Sequence, residues 1–268
     1  MVAIKAGEKI MPINISDLVE ESLSHRAVHH PYLKALGDGD LPCINYALKD
    51  FATQYYGYSL HFPRYLTSVI SKLDNHNHRK SLLENLTEES GIYEEDELAE
   101  LKSIGIEPEW IENIPHPILF KRFYNAVGAG NNGEQAHIEA IQLVSWREMF
   151  MSTLNHGSAA ESVGAIGLGT ENIVSTIYQS FVKALGYLDL SPRDTVFFPL
   201  HTSVDDHHQE TLAEISKHYA ALPNGKSDLR KGMIKALSLR TTFWDWMYER
   251  ALRFQPASNN DESRLALV

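Results

Sequence analysis

The chain has 268 residues, of which 43% are hydrophobic and 22% charged, enough apolar material for a sizeable core. A net charge of −11 at pH 7 argues against nucleic acid as a main partner, because phosphate binding requires a basic surface. Cys43 is the only cysteine, so no internal disulfide forms and a reducing cytoplasm is the expected location. No apolar run reaches the ~18–20 residues of a membrane span, and no signal-peptide core is present. We therefore expect an acidic cytoplasmic protein with no membrane partner.

Helical patterns fill most of the chain. Residues 1–15 lack periodicity and are expected to form an N-terminal extension. Residues 42–73 form a long apolar and aromatic pattern, predicted to be a helix that bends near Pro63, because proline removes a backbone donor. A further helix is predicted over residues 77–90, and the glycine that follows suits a helix end.

Residues 92–115 have a different composition, rich in acidic residues and interrupted by glycine and proline, and are predicted to be an acidic insertion of short helical pieces. Later helices are predicted over residues 116–128, 133–154, 158–185 and 227–254, with another opening at Ser191-Pro192. Residues 255–268 have the composition of a disordered tail. With no repeat and no strand pattern, the sequence predicts one all-α domain over residues 16–254.

A polar stretch in the C-terminal third holds a candidate metal site. At about 100° per residue, His201, Asp205 and His208 fall within an arc of about 60° on one helix face. Two imidazoles and a carboxylate on one stripe suit a first-row transition metal. The chain contains 13 histidines, however, and a solvated polar helix face would show the same spacing.

A further carboxylate falls on an apolar helix stripe. Glu89 follows Leu86 by three residues and Leu82 by seven, whereas Glu84 and Glu88 share a face expected to be solvated. A core-facing carboxylate is unfavourable unless it is paired or bound to a metal. The alternatives are that Glu89 reaches water at a frayed helix end, or that Glu88 is the ligand instead.

Glu171 follows Gly167 by four residues and Gly164 by seven, and the missing side chains leave space beside the backbone. Close helix packing through glycine would give the same pattern. His116 lies at a predicted helix start, where an isolated histidine is more often a cap or a surface residue. Together these positions supply three carboxylates and three imidazoles, a set that can hold two iron or manganese ions with a bridging glutamate: Glu89, Glu171, Asp205, His116, His201 and His208.

The order of these motifs resembles a known family, the heme-oxygenase-like diiron oxidases of the wider thiaminase II and pyrroloquinoline-quinone synthase-like superfamily. The resemblance is greatest to the chlamydial branch that associates with death domains, and it runs from about His30 to Phe254. The matching stretches are residues 55–66, residues 84–91, residues 116–123, Glu171 and the pattern His201-x3-Asp205-x2-His208.

The resemblance implies a seven-helix heme-oxygenase-like bundle around a central metal site. It also implies that two irons activate dioxygen as co-substrate, with manganese as an alternative metal. By the same resemblance the metal ligands are Glu89, His116, Glu171, His201, Asp205 and His208, and the catalytic carboxylates are Glu89, Glu171 and Asp205.

The sequence departs from the family pattern in two places. About two dozen residues separate Glu89 from His116, where the family usually has a few. The chlamydial branch resembles a self-sacrificing synthase of 4-aminobenzoate that uses a tyrosine and a lysine of its own chain. Tyr32 falls near the tyrosine position, but the lysine position holds Phe181, with Lys183 two residues later.

The function predicted on this basis is oxidation of a small metabolite of fatty-acid or amino-acid type, by C–C cleavage, desaturation or N-oxygenation. An external electron donor and a homodimer are further expectations from the resemblance. Tyr55, Tyr56 and Arg64 are the predicted substrate-binding residues. Phe62 and Trp244 extend the aromatic set, and Arg240 is a second candidate for a substrate carboxylate; core packing is the alternative role for these aromatics.

Two other functions stay open at this point. A metal-free hydrolase of the thiaminase type requires an activated cysteine, for which Cys43 is the only candidate. A non-catalytic protein can instead bind a partner through the acidic insertion at residues 92–115.

Overall fold

The structure is a computed structural model that describes residues 14–130, 139–203 and 205–255, with side chains in the last range from Gln209 onwards. Every regular element in these ranges is a helix, which confirms the all-α prediction. The first half contains α1 (Ser16–Leu23), α2 (Pro31–Asp38), α3 (Ile44–Ser59), α4 (Phe62–Ile70), α5 (His76–Glu89), α6 (Glu95–Ser103), α7 (Pro108–Ile111) and α8 (His116–Ala126). The second half contains α9 (Ile141–His156), α10 (Ala159–Val163), the π-helix π1 (Gly164–Glu171), α11 (Asn172–Leu185), α12 (Pro192–Thr195), α13 (Phe197–Ser203), α14 (Asp205–Ala220) and α15 (Gly225–Arg253).

The chain is divided into more helical segments than the seven expected, because several long patterns are interrupted. The aromatic pattern over residues 42–73 breaks between α3 and α4, and Pro63 occupies the first turn of α4, where its missing N–H costs nothing. The helix α5 ends at Glu89 as predicted, and Gly91 supplies the positive φ of 84° that the turn requires. No helix in the described ranges is long and apolar enough to cross a membrane.

The predicted helix over residues 158–185 contains a π-helical stretch in its middle. The helix α15 crosses it so closely that a Cβ on Gly164 would lie 2.0 Å from the carbonyl oxygen of Leu229, and one on Gly232 would lie 1.8 Å from that of Glu161. Lys231 and Lys235 of α15 reinforce the crossing by donating hydrogen bonds to the buried Glu161 carboxylate. The glycines therefore serve close packing, and the wider π turn carries Glu171 at its end.

The predicted ligand stripe crosses a junction between two helices. His201 belongs to α13, whereas Asp205 begins α14. Val204 and the side chains of Asp205 and His208 lie outside the described residues, so the predicted common face of these three side chains stays a prediction.

The acidic insertion forms a loop whose first and last residues lie next to each other. The backbone N–H of Asn113 donates to the carbonyl of Gly91 at 2.7 Å, and a Cβ on Gly91 would lie 2.4 Å from the nitrogen of Ile114. Between these ends α6 and α7 bury Leu101 and Ile111 against the main core. The insertion therefore has a packed inner face beneath its solvated acidic one.

We expect Gly164→Ala to destabilise the fold by about 3 kcal/mol, because the new methyl group meets a backbone oxygen that moves only if α15 moves. Gly167→Ala is the matched control in the same π-helix, since its Cβ would lie 3.2 Å from the Leu212 side chain and should cost less than about 1 kcal/mol. Urea denaturation of both variants measures the difference. Equal losses would show that the crossing does not depend on Gly164.

Candidate metal centre

Three predicted ligands converge where helices end and begin. Glu89 is the last residue of α5, His116 is the first of α8, and His201 lies in α13. One ligand atom from each of the three lies within 4.8 Å of the other two. Glu89 and His116 are buried, and His201 is half-buried. Among the described residues this is the group of side chains with the composition and spacing to hold a metal ion.

The Glu89 and His116 side chains converge as two ligands of one ion would. Oε2 of Glu89 lies 3.2 Å from Nδ1 of His116, yet Nδ1 has no hydrogen-bond partner in the structure. Adjacent ligand atoms that are each ~2.1 Å from a metal lie about 3.0–3.4 Å apart. The separation and the lack of hydrogen-bond geometry therefore fit two groups that aim at a common point.

The His201 ring is oriented by its own helix. Its Nδ1 lies 2.7 Å from the carbonyl oxygen of Phe197 one turn earlier, so Nδ1–H donates to that carbonyl and Nε2 carries the lone pair. The ring centroids of His201 and His116 are 4.8 Å apart at an angle of 65°. A backbone hydrogen bond on one nitrogen fixes the tautomer so that the other nitrogen faces the cluster as an acceptor, the usual arrangement of a ligating histidine.

A small cavity of about 30 Å³ borders the cluster, with room for about two water molecules. Glu171, buried at the end of π1, faces this cavity together with Glu89, His116 and His201. The remaining wall is aromatic, aliphatic and hydroxylic: Tyr55, Tyr58, Ser59, Phe62, Pro117, Thr170, Val174, Tyr178 and Phe197. The arrangement brings four of the six predicted ligands to one enclosed space.

Buried phenols form one side of the cavity. The hydroxyls of Tyr55 and Tyr178 lie 3.1 Å apart, and burial raises the pKa of both Tyr58 and Tyr178. Behind them Arg240 places its guanidinium 5.8 Å from the centre of the Tyr58 ring. Sequence reasoning found Tyr55 but missed Tyr58 and Tyr178, whose shared apolar stripes with core residues gave no separate signal.

Two predicted substrate-binding residues do not face this cavity. Tyr56 packs against Tyr124 and Phe120 with Lys121 above its ring, and Arg64 is exposed at the surface. Their placement gives the predicted substrate contacts no support. Trp244 is fully buried in the core and Arg240 lies behind the tyrosine wall, so packing accounts for both.

Glu88 corrects one expectation from the sequence. Its side chain is buried and not on a solvated face, whereas Glu84 on the same predicted face is exposed. Burial, together with the nearby Glu89 and Glu88 carboxylates, raises the pKa of the Tyr93 phenol from the insertion, so tertiary packing, which helix periodicity does not predict, surrounds this end of α5. The cluster contains Glu89 and not Glu88, and the buried position of Glu89 excludes a frayed end that reaches water.

The structure also shows where the residues of the self-sacrificing reaction and of the cysteine hydrolase would lie. Tyr32 is buried with a hydroxyl that has no partner, and it stacks on Trp244. Phe181 is buried and Lys183 is exposed, so neither brings an amine to the core at this position. Cys43 caps α3 through a contact of its Sγ with the N–H of Tyr46, and it does not face the metal cavity.

A helical bundle with carboxylates and imidazoles around a small, mostly buried cavity is typical of helical metalloproteins. Residues 49–241 match the family of iron-containing redox enzymes, and the chain belongs to that family. Carboxylate and imidazole donors are suited to ferrous and ferric iron, so the residues of the cavity fit the metal of the family.

Relatives share the fold at low sequence identity. A domain with a heme oxygenase-like fold from Shewanella denitrificans has a TM-score of 0.69 at 15% identity and covers 93% of this chain and 98% of its own. A CADD-like protein from Nostoc punctiforme has a TM-score of 0.65 at 14% identity, covering 88% and 96%. A 4-aminobenzoate synthase from Chlamydia muridarum is 24% identical over 206 residues, or 76% of this chain and 78% of that protein. The heme-oxygenase-like fold is thus confirmed.

We expect His201→Ala to lower Fe(II) binding by about one ion per chain, because it removes one of the imidazoles at the cavity. His61→Ala is the matched control, since Nδ1 of His61 also contacts a carbonyl one turn earlier, that of Gly57 at 2.8 Å, but its ring lies outside the cluster. Anaerobic titration with iron analysis of the desalted protein gives the stoichiometry. Unchanged iron in His201→Ala would remove this residue from the ligand set.

Proposed function

We propose that this protein is a non-heme di-iron oxidase or oxygenase that uses dioxygen to oxidise a small metabolite. The observation that carries the proposal is the buried convergence of Glu89, His116 and His201 beside Glu171 at a closed aromatic cavity. Membership of the iron-containing redox enzymes supports iron as the metal. Carboxylates and imidazoles gathered at one buried place are the donor set that suits ferrous and ferric iron.

Two ions require more donors than the three-residue cluster supplies. Glu171 lines the same cavity from π1 as Glu89 and His116 do from α5 and α8, and it would supply a further carboxylate to the ions. Asp205 and His208 complete the proposed set from the start of α14. When bound, the two ferrous ions supply the electrons with which dioxygen is reduced to an oxidant.

The cavity wall controls water and protons. Aromatic and aliphatic side chains such as Phe62, Val174 and Phe197 narrow the cavity beside the candidate ligands to about 30 Å³, which would limit the access of solvent to the metal. Because burial raises the pKa of Tyr58 and Tyr178, their phenols keep the proton on Oη at neutral pH. Both are therefore neutral phenols that can donate a hydrogen bond at the wall of the cavity, and they do not readily give up the proton.

An external metabolite, and not the chain itself, is the proposed substrate. The chlamydial relative bears the name 4-aminobenzoate synthase, but here Phe181 is buried at the position that matches the lysine of the family resemblance, and the neighbouring Lys183 is exposed. A self-consuming reaction that takes its amine from this position has no donor. Fatty acids and amino acids are the proposed substrate classes, with the remaining electrons from the substrate or an external donor.

The proposal predicts that the apo protein takes up about two Fe(II) per chain under anaerobic conditions and then develops a transient visible absorption band on rapid mixing with oxygenated buffer. A fatty acid or amino acid that is a substrate should speed the decay of that band. Glu171→Gln, which is nearly isosteric but lacks the charge, should lose the transient, whereas Glu84→Gln at an exposed position of α5 should keep it.

The intact mass of the chain after oxygen exposure separates the external from the self-consuming reaction. An unchanged mass after several turnovers supports an external substrate. Loss of mass at Tyr32 or at any lysine would contradict that part of the proposal. Failure to bind iron in a folded protein would remove the di-iron function as a whole.

A further inference from the structure

The acidic insertion contributes a side chain to the metal centre itself. Because its ends meet at Gly91 and Asn113, the insertion begins and returns beside the last residue of α5 and the first of α8. Tyr93 stands at its beginning, and its hydroxyl lies 2.7 Å from Nε2 of His116. The two rings are also nearly parallel, at 26°, with centroids 6.3 Å apart.

The contact occupies one nitrogen of an imidazole whose other nitrogen faces the cluster. Nε2 of His116 is taken up by Tyr93, while Nδ1 has no hydrogen-bond partner and lies 3.2 Å from the Glu89 carboxylate. A histidine binds a metal through a deprotonated nitrogen and carries its proton on the other. His116 would therefore ligate through Nδ1 with Nε2–H donating to Oη of Tyr93.

His201 has the opposite arrangement. Its Nδ1–H donates a hydrogen bond to the carbonyl of Phe197, so Nε2 is the nitrogen that would ligate a metal. A histidine beyond the first turn of a helix can contact the backbone carbonyl four residues earlier. His116 cannot use one, because it is the first residue of α8 and the proline before it is the N-cap. The hydrogen-bond partner of the His116 ring must therefore come from another segment, and Tyr93 of the insertion is that partner.

We propose that Tyr93 is a positioning residue that fixes the tautomer and the ring orientation of His116, so that Nδ1 is the ligating nitrogen. The inference rests on the proposed metal centre, and it gives the insertion a role at the site besides any contact of its acidic surface. Tyr93 is half-buried among Glu88, Glu89 and His116, which places its hydroxyl on the inner side of the insertion.

The test compares Tyr93→Phe with Tyr65→Phe, using Co(II) as a spectroscopic probe. Both changes remove only a hydroxyl, but the hydroxyl of Tyr65 is buried without a partner and does not face the cavity. We expect Tyr93→Phe to weaken Co(II) binding at the His116 position by about 10–100-fold and to change the visible spectrum of the bound ion. Tyr65→Phe should bind Co(II) like the wild type.

The tautomer is read directly in the Zn(II)-loaded protein labelled with ¹⁵N-histidine. Long-range ¹H–¹⁵N spectra should show His116 bound through Nδ1 in the wild type, and a mixture of ligating nitrogens or an unbound ring in Tyr93→Phe. Equal affinity and identical spectra for Tyr93→Phe and wild type would overturn the inference while the metal centre stands. Equal losses in both variants would also overturn it, since they would reflect packing. A wild type that binds neither ion, with His116→Ala no different, would overturn the metal centre as well.

Discussion

The structure depends on keeping ionisable carboxylates and imidazoles inside an apolar bundle. Glu89 and Glu171 are almost completely buried, and aromatic rings such as Tyr55, Tyr178 and Phe197 surround the space between them. Transfer of a carboxylate from water to such a place is strongly unfavourable unless another charge compensates it. The fold therefore brings its ionisable groups to one point, where each can be neutralised by a common ion.

This constraint also explains why helix ends and an irregular helix build the site. Glu89 ends α5, His116 begins α8, and Glu171 ends a π-helix. Side chains at helix ends are less confined by neighbours on the same helix, so Glu89 and His116 can turn toward one point, whereas the π turns of a continuous helix bring Glu171 to the same cavity. The close crossing of α15 over the glycines of π1 fixes the position of Glu171 from behind. The glycines thus act on the site through packing and not by creating empty space.

Much of the fold and part of the site were predictable from the sequence. Glu89 stood out because a carboxylate on an apolar stripe is costly, and this argument depends only on helix periodicity. Glu88 is buried and not solvated as helix periodicity predicts, because burial at the end of α5 depends on tertiary packing that periodicity does not describe. Helix periodicity does not predict the π-helix, because a π turn contains more residues than the 3.6 of an α-helical turn. Tyr93 was missed because nothing in its local sequence indicates that it meets His116, which lies 23 residues away.

The two ends of the insertion lie in contact with each other beside the candidate metal centre. Since Gly91 and Ile114 touch, the distance through space between Glu89 and His116 is independent of the number of residues that join them. Chain can be added or removed at this point at a small entropic cost, which grows only with the logarithm of loop length. A search that required a fixed spacing between these two ligands would overlook this protein. Such a centre is recognised by the proximity of its side chains in three dimensions. The segment that joins them along the chain can therefore have a function of its own.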